Sequence, residues 1–209
     1  LGKHGGLLHS WPLPGRERGY YVVIPGEWSG GHEGFACLSG LKDVHVLAAQ
    51  ISIKGLAVVK SLPDLRELNI WVSDFDASCM DNLQGLTKLS SLTISHPEVS
   101  DEALSHLVGV DSITSLFLHG ISDTGLHYLA QLPKLQDLSI SVSPDFTGDG
   151  LRHLANATLL DDLKIRNAAS FTGDGLQHFA GHPALKSLTI SASPNFTGDG
   201  LKHLANATQ

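Results

Sequence analysis

The chain repeats one pattern of apolar and polar positions at a nearly constant interval. A leucine or isoleucine opens a six-residue phrase whose fourth and sixth positions are also apolar. The seven copies are LKDVHV from Leu41, LRELNI from Leu65, LSSLTI from Leu89, ITSLFL from Ile113, LQDLSI from Leu135, LDDLKI from Leu160 and LKSLTI from Leu185. Successive copies begin 24, 24, 24, 22, 25 and 25 residues apart. A fixed period of this length predicts a solenoid of stacked repeats.

Each phrase predicts one short strand, because residues two apart in a strand share a face. The pairs expected on the inner, buried face are Val44/Val46, Leu68/Ile70, Leu92/Ile94, Leu116/Leu118, Leu138/Ile140, Leu163/Ile165 and Leu188/Ile190. A loop then supplies one more apolar residue to the core in each unit, namely Ile51, Phe75, Val99, Ile121, Phe146, Phe171 and Phe196. The strands of successive units are expected to form one parallel sheet.

A helix is predicted after each loop. Residues of the type that caps helix N-termini follow the loop residue in every unit: Ser52, Asp76, Ser100, Ser122, Thr147, Thr172 and Thr197. Apolar residues then recur every third position, as at Leu126, Leu129 and Leu132. The same scheme explains SPDFTGDGLRHLANAT from Ser143, which recurs from Ser193 with two differences. Its phenylalanine enters the core, its threonine caps, and its first leucine opens the buried helical stripe.

The two ends of the chain receive separate predictions. Residues 1–40 are expected to form a degenerate N-terminal capping unit, in which Leu8 and Trp11 keep helical spacing. Tyr20 and Val22 lie 24 residues before Val44 and Val46 and are expected to share their register. Residues 41–209 are predicted to be seven repeats of 22–25 residues. Because the chain stops one residue before the next strand leucine is due, the array is expected to continue beyond Gln209.

These units resemble leucine-rich repeats. The recurring LxxLxI strand phrase, the Ser or Thr cap and the following GLxxL resemble the F-box-associated and bacterial, ribonuclease-inhibitor-like subtype. The resemblance implies an α/β fold, a curved right-handed horseshoe with a parallel sheet on its concave side and helices on its convex side. The chain departs from the family where Asn or Cys usually follows the strand, because it carries Ala49, Ser73, Pro97, Ser143, Ala168 and Ser193 there. No F-box is visible, so a ubiquitin-ligase role is not inferred.

Composition and charge exclude several classes of function. The 209-residue chain has a formal charge of −7, which argues against a nucleic-acid partner, since phosphate binding needs clustered Lys and Arg. No uninterrupted apolar run is long enough to span a bilayer. Cys37 and Cys79 form neither a disulfide framework nor a zinc site by their number and spacing. The sequence leaves the cellular location and the oligomeric state open.

Candidate chemistry in the repeated loop and helices has simpler structural explanations. Asp145, Thr147 and Asp149 occupy the first, third and fifth positions of a calcium loop, but the twelfth position is Asn156 and not Glu. His178 and His182 share a helix face without a third ligand nearby. A histidine row, His106, His153, His178 and His203, is expected to face solvent on the convex side. No nucleophile, phosphate-loop or metalloprotease motif is present, so we predict no enzyme, no cofactor and no metal site.

The concave face of the predicted sheet is the candidate binding surface. Side chains between the core positions of the strands point there, and most are small and polar. The exceptions expected on this face, all in the N-terminal half, are His45, Leu47, Trp71, Phe117 and His119. The residues predicted to contact a partner are His45, Asn69, Trp71, Phe117, His119, Asp162, Lys164 and Arg166. Exposed aromatic side chains on a rigid surface are the usual anchors of a protein interface.

Three functions are compatible with this pattern. The leading hypothesis is a non-catalytic module that binds a protein or peptide through the concave face. A carbohydrate-binding surface is the second, because Trp71 and Phe117 lie near hydroxyl and amide groups and sugars stack on aromatic rings. A recognition domain of a larger enzyme, with its catalytic part outside this chain, is the third.

Overall fold

The computed structural model describes residues 7–11, 19–24, 34–72 and 75–204. In this part of the chain nine strands form a single sheet whose spatial order is the order of the sequence. The strands are β1 Leu7–Trp11, β2 Gly19–Ile24, β3 Val44–Ile51, β4 Glu67–Val72, β5 Ser91–Ser95, β6 Ser115–Ile121, β7 Asp137–Val142, β8 Asp162–Arg166 and β9 Ser187–Ser191. Strands β2 to β9 are parallel to one another, as predicted for a repeat solenoid.

The register of β4 to β9 follows the repeated phrase. Leu68 pairs with Leu92, and the ladder continues through Leu116, Leu138, Leu163 and Leu188. The isoleucine or leucine two residues later forms a second ladder in the same way. Both ladders are fully buried from β4 to β8 and partly buried in β9. The predicted inner face is therefore confirmed for these strands, and each such side chain contributes about 1.5–3 kcal/mol by leaving water.

The register of β3 was predicted wrongly by three residues. Leu47 and not Val44 pairs with Leu68, and Ala49 pairs with Ile70. The strand phrase of this unit is thus VHVLAA from Val44, which fits the apolar pattern as well as LKDVHV does. Leu47, expected on the concave face, is fully buried in the core, whereas Val46 lies on the opposite face of the sheet.

The N-terminal strands also depart from expectation. β1 pairs with β2 in antiparallel orientation, so Leu7–Trp11 is a strand and the predicted helical spacing of Leu8 and Trp11 is wrong. Tyr20 does pair with Val44, but Tyr20 is 36% exposed and Val22 pairs with Leu47 because a bulge follows Tyr20. The assignment of residues 1–40 to a capping unit stays a prediction, and residues 1–6, 12–18, 25–33, 73–74 and 205–209 lie outside the described part.

Short helices on the other side of the strands complete each unit. Four are α-helices: Ile53–Leu56, Asp101–Ser105, Gly125–Leu129 and Leu151–Leu154. Five others in the described residues are 3₁₀ helices: Phe35–Gly40, Ala57–Ser61, Ala77–Leu83, Asp174–Phe179 and Asp199–Leu204. Consecutive helices contact one another, and the core lies between this helical layer and the inner face of the sheet.

The predicted helix N-caps are confirmed in the first four units. The side chains of Ser52, Asp76, Ser100 and Ser122 accept hydrogen bonds from backbone N–H groups two or three residues later. These bonds satisfy donors that the first turn of a helix leaves without an intrahelical partner.

The FTGDG unit from Phe146 is capped in a different way. The carboxylate of Asp123, in the preceding unit, accepts hydrogen bonds from the backbone N–H groups of Thr147, Gly148 and Gly150 at 2.7, 3.0 and 2.8 Å. The Thr147 hydroxyl also donates to this carboxylate, at 3.0 Å. As a cap, the Thr147 hydroxyl oxygen accepts one long hydrogen bond of 3.3 Å from the backbone N–H of Asp149. The cap of this loop therefore comes mainly from the neighbouring repeat.

A row of packed phenylalanines explains why the sequence FTGDG recurs unchanged in three successive repeats. Phe146 and Phe171 are fully buried with their rings 5.9 Å apart, and Phe196 lies 5.8 Å from Phe171. Gly148 has a φ of +95°, and a Cβ atom at this position would lie 2.4 Å from the Phe171 ring. Only glycine therefore allows the next phenylalanine to pack this closely. The other loop residues of this set are buried except Phe75 and Phe196, which are partly buried.

Candidate binding surface on the open face of the sheet

The sheet has one face away from the helices, which we call the open sheet face. From β3 to β9 its side chains form three rows that follow from the strand register. The first row is Val46, Glu67, Ser91, Ser115, Asp137, Asp162 and Ser187; the second is Ala48, Asn69, Thr93, Phe117, Ser139, Lys164 and Thr189; the third is Gln50, Trp71, Ser95, His119, Ser141, Arg166 and Ser191. Seven of the eight predicted contact residues lie in these rows.

His45 is the predicted contact residue that the structure places elsewhere. Its carbonyl accepts a hydrogen bond from the N–H of Arg66, so His45 occupies the position before the first row. Its imidazole lies over the start of β2, because a Cβ atom on Gly19 would be 2.2 Å from its Nδ1 atom. The error has the same cause as the misplaced register of β3.

Trp71 is the most exposed large apolar side chain of the described residues, with 52% of its surface accessible. It lies in the third row between Gln50 and Ser95. Asn69, two residues earlier on the same strand, is partly buried. An indole surrounded by small and polar side chains on a rigid strand offers a large apolar contact at little conformational cost.

The ring of Phe117 contacts two other side chains, those of His119 and Arg166. The imidazole of His119, on the same strand, meets it edge to face with ring centres 4.8 Å apart. The guanidinium carbon of Arg166 lies 5.6 Å from the centre of the Phe117 ring, within the range of a cation–π contact. Burial and the positive charge of Arg166 both lower the pKa of His119, which favours the neutral imidazole. Arg166 therefore carries the positive charge of this group near neutral pH.

Arg166 reaches Phe117 across an intervening strand. It pairs with Ser141 of β7, which pairs with His119 of β6, so about 10 Å separates the backbones of β8 and β6. The side chain must cross above β7, where the small residues Ser139 and Ser141 leave room. Ser141 is only 8% exposed as a result, and its hydroxyl oxygen accepts a hydrogen bond of 2.8 Å from the side-chain amide of Asn167.

The other two predicted charges on this face neutralise each other. The ammonium group of Lys164 donates a hydrogen bond to the carboxylate of Asp162. This hydrogen bond lowers the pKa of Asp162 and keeps its carboxylate ionised. Both side chains are partly buried, and neither offers a free charge to a partner.

Two parts of the site were not predicted correctly. Trp71 and Phe117 lie in different rows, since Phe117 aligns with Thr93 and Asn69. The sequence places them two strands apart and so predicts about 10 Å between their strand positions, but the offset of one row along the strands raises this distance to about 12 Å. Tyr21 of β2, which is 38% exposed and pairs with Val46, belongs to the same face and was missed. The alternation in YYVVI, with Val22 and Ile24 buried, contains that signal.

The convex histidines are less exposed than expected. His106, His153, His178 and His203 are all partly buried, because the side chains of adjacent repeats pack together. His106 Nδ1 lies 2.7 Å from the carboxylate of Asp81 in the preceding unit, and the rings of His127 and His153 are 5.0 Å apart. His182 is not on this surface: it is 7% exposed, and its Nδ1 accepts hydrogen bonds from the N–H groups of Ala184 and Leu185.

The described residues show neither a metal-binding cluster nor a membrane-spanning helix. No three His, Cys, Asp or Glu side chains in this part of the chain are grouped so as to hold a metal ion. Within the same residues, every helix is too short or too polar to cross a membrane.

The fold of this chain is similar to those of many solved structures, among them the following two. One is an internalin, InlF, from Listeria monocytogenes str. 4b F2365, with a TM-score of 0.57 and 20% identity over 82% of this chain and 54% of that chain. The other is from the complex of Rad7 and Elc1 in yeast, with a TM-score of 0.51 and 16% identity over 85% of this chain and 58% of that chain. This chain thus spans little more than half the length of each.

No protein-family profile matches the chain, and no curated protein matches it. The repeated LxxLxI strands, the parallel sheet in sequence order and the similarity to an internalin together define the fold. This chain is an α/β solenoid of the leucine-rich-repeat type.

Proposed function

We propose that the chain is a non-catalytic interaction module that binds a protein or peptide through the open sheet face. The observation that carries the proposal is Trp71, a tryptophan 52% exposed on a strand of a rigid sheet. Tryptophan, tyrosine and arginine are the residues that most often dominate the free energy of a protein interface. The same face adds Tyr21 and the group of Phe117, His119 and Arg166.

The structural relatives support a protein partner. One of the similar solved structures is a complex of two proteins, Rad7 and Elc1. The ribonuclease-inhibitor-like subtype of the repeat belongs to the proposal as well, because the strand phrase and the GLxxL helix motif favour it.

Carbohydrate binding is the weaker alternative. Stacking a sugar on both Trp71 and Phe117 needs two accessible ring faces. The Phe117 ring is partly buried and already contacts Arg166 and His119, so of these two rings only that of Trp71 is open. A mostly polar surface with separate exposed aromatic anchors, Trp71 and Tyr21, fits a protein segment better.

Site-specific photo-crosslinking tests the proposed face. A photoreactive phenylalanine analogue replaces Thr93, which lies in the second row next to Asn69 and Phe117. The matched control carries it at Leu159, which is 47% exposed and lies outside the three rows. We expect one protein from the source organism to crosslink at position 93 and not at position 159. Crosslinking at position 159 alone would place the interface elsewhere and contradict the proposal.

A further inference from the structure

We infer that the open sheet face recognises a carboxylate, the side chain of an Asp or Glu in the bound protein segment, through Arg166. This inference rests on the proposed function and specifies the chemistry of the partner. Its basis is the arrangement of Arg166, Phe117, His119 and Ser141.

Arg166 keeps its hydrogen-bond donors available. Within the described part of the chain, its guanidinium makes no hydrogen bond and no ion pair, and its contact is the Phe117 ring at 5.6 Å. The lysines that form ion pairs do so with neighbouring aspartates: Lys88 with Asp64, Lys164 with Asp162 and Lys186 with Asp161. On the open sheet face, the charge of Lys164 is neutralised by Asp162. The charge of Arg166 is not neutralised by any carboxylate of the described region.

The Phe117 ring holds the guanidinium in a fixed place. A cation–π contact keeps the guanidinium close to the sheet and leaves its N–H groups free to donate to a ligand. Holding the long side chain in advance reduces the entropy lost when a ligand binds. The planar fork of N–H donors matches a carboxylate in a bidentate arrangement, which a lysine does not offer.

The surroundings of the fork favour an acidic partner over a basic one. His119 is neutral near neutral pH, because burial and Arg166 lower its pKa, so it can donate or accept a hydrogen bond without adding charge. The Ser141 hydroxyl accepts from Asn167 and still has its own hydrogen to donate. Lys164 engages Asp162, the acidic residue of the same strand, and thereby shields Arg166 from it. A lysine or arginine of a partner would meet repulsion here.

Selection of peptides on the 209-residue chain tests the inference. A random peptide library displayed on phage is selected against the wild-type chain, against Arg166→Met and against Arg152→Met. Arg152 is the matched control, since it is an exposed arginine on a helix. We expect Asp and Glu to be enriched among peptides selected by wild type and Arg152→Met, and not among those selected by Arg166→Met.

A double-mutant cycle then connects the peptide carboxylate to Arg166. Replacing the enriched Glu by Gln in a synthetic peptide is expected to weaken binding to wild type about tenfold. The same replacement is expected to change binding to Arg166→Met less than about twofold. Arg166→Lys, which keeps the charge and loses the fork, is expected to fall between the two.

The outcomes separate this inference from the proposed function. Peptides that need Trp71 but show no acidic enrichment, or an effect of Glu→Gln that is equal in wild type and Arg166→Met, would overturn the inference and leave the binding face in place. Peptides that bind wild type and Trp71→Ser equally would contradict the proposed function. A library that yields no binder would overturn both.

Discussion

The carboxylate of Asp123 accepts a hydrogen bond of 2.7 Å from the backbone N–H of Thr147, a residue of the next repeat. Two further N–H groups, those of Gly148 and Gly150, donate to the same carboxylate. One side chain thus fixes a loop 24 residues away in sequence. In a solenoid, stability is a sum of repeats and of the interfaces between neighbours, and this contact belongs to the second kind.

Replacing Asp123 with Ala is expected to destabilise the chain by about 2 kcal/mol. The substitution leaves several N–H donors of a helix start without their charged acceptor, and hydrogen bonds to charged groups contribute about 1.5–3 kcal/mol. The matched control is Asp145→Ala, an exposed aspartate at the same loop, which is expected to change the free energy of unfolding by less than about 0.5 kcal/mol. Chemical denaturation measures both, and equal effects would show that the Asp123 hydrogen bonds do not stabilise the loop.

The phenylalanine and the threonine of FTGDG are expected to differ in their contribution to stability. Phe146→Ala creates a cavity at a fully buried position and is expected to cost about 3–5 kcal/mol. Thr147→Ala removes a hydroxyl that donates to Asp123 and is expected to cost about 1 kcal/mol. Calorimetry of the two variants checks the order, and similar losses would contradict the assignment of core and cap.

The sequence predicts the register of a strand correctly only where the apolar pattern fits a single starting residue. The LxxLxI phrase predicts the register of β4 to β9 correctly, because buried leucine ladders exclude a slip of even one residue. At β3 the apolar pattern fits two starting points, Leu41 and Val44, and the even spacing favoured the wrong one. The cap from Asp123 could not be predicted, since nothing local links an aspartate to a loop one repeat away.

Chelation of metal ions is expected to leave the melting temperature unchanged. The FTGDG loop after Phe146 turns its N–H groups inward to the Asp123 carboxylate, and N–H groups are donors that repel a cation. A calcium loop instead directs oxygen atoms inward. Thermal unfolding with and without EDTA is the measurement, and a fall of several degrees on chelation would show that a bound cation stabilises the fold.

His182 is expected to make stability depend on pH below about 6.5, the ordinary pKa of histidine. Burial lowers the pKa of His182 more strongly than the nearby carbonyl groups of Ala157 and Leu154 raise it. The unfolded chain therefore binds a proton at a higher pH than the folded chain does. It follows that the stabilisation is present above the unfolded pKa and is lost as the pH falls through the folded pKa.

The matched variant for this prediction is His182→Leu, because leucine occupies the corresponding core position at Leu62, Leu86 and Leu132. The free energy of unfolding of wild type is expected to fall more steeply with acidification than that of the variant. Denaturant titrations at a series of pH values compare the two slopes. Parallel curves would mean that His182 titrates alike in the folded and unfolded chain.

The candidate site was predicted residue by residue but not as an arrangement. Seven of the eight predicted contact residues lie on the open sheet face, since alternation along a strand determines which side chains share a face. The sequence does not reveal that Arg166 crosses β7 to reach Phe117, because that contact depends on the small size of Ser139 and Ser141 between them. Whether these residues bind a partner stays a prediction.

The affinity of Trp71→Ser for the crosslinked partner tests the central claim most directly. The account predicts a loss of about 2 kcal/mol or more, roughly 30-fold in Kd, while Leu159→Ser binds as wild type does. Both variants are expected to keep the wild-type melting temperature, since Trp71 and Leu159 are 52% and 47% exposed. An unchanged affinity of Trp71→Ser, at unchanged stability, would contradict the claim that the open sheet face binds the partner.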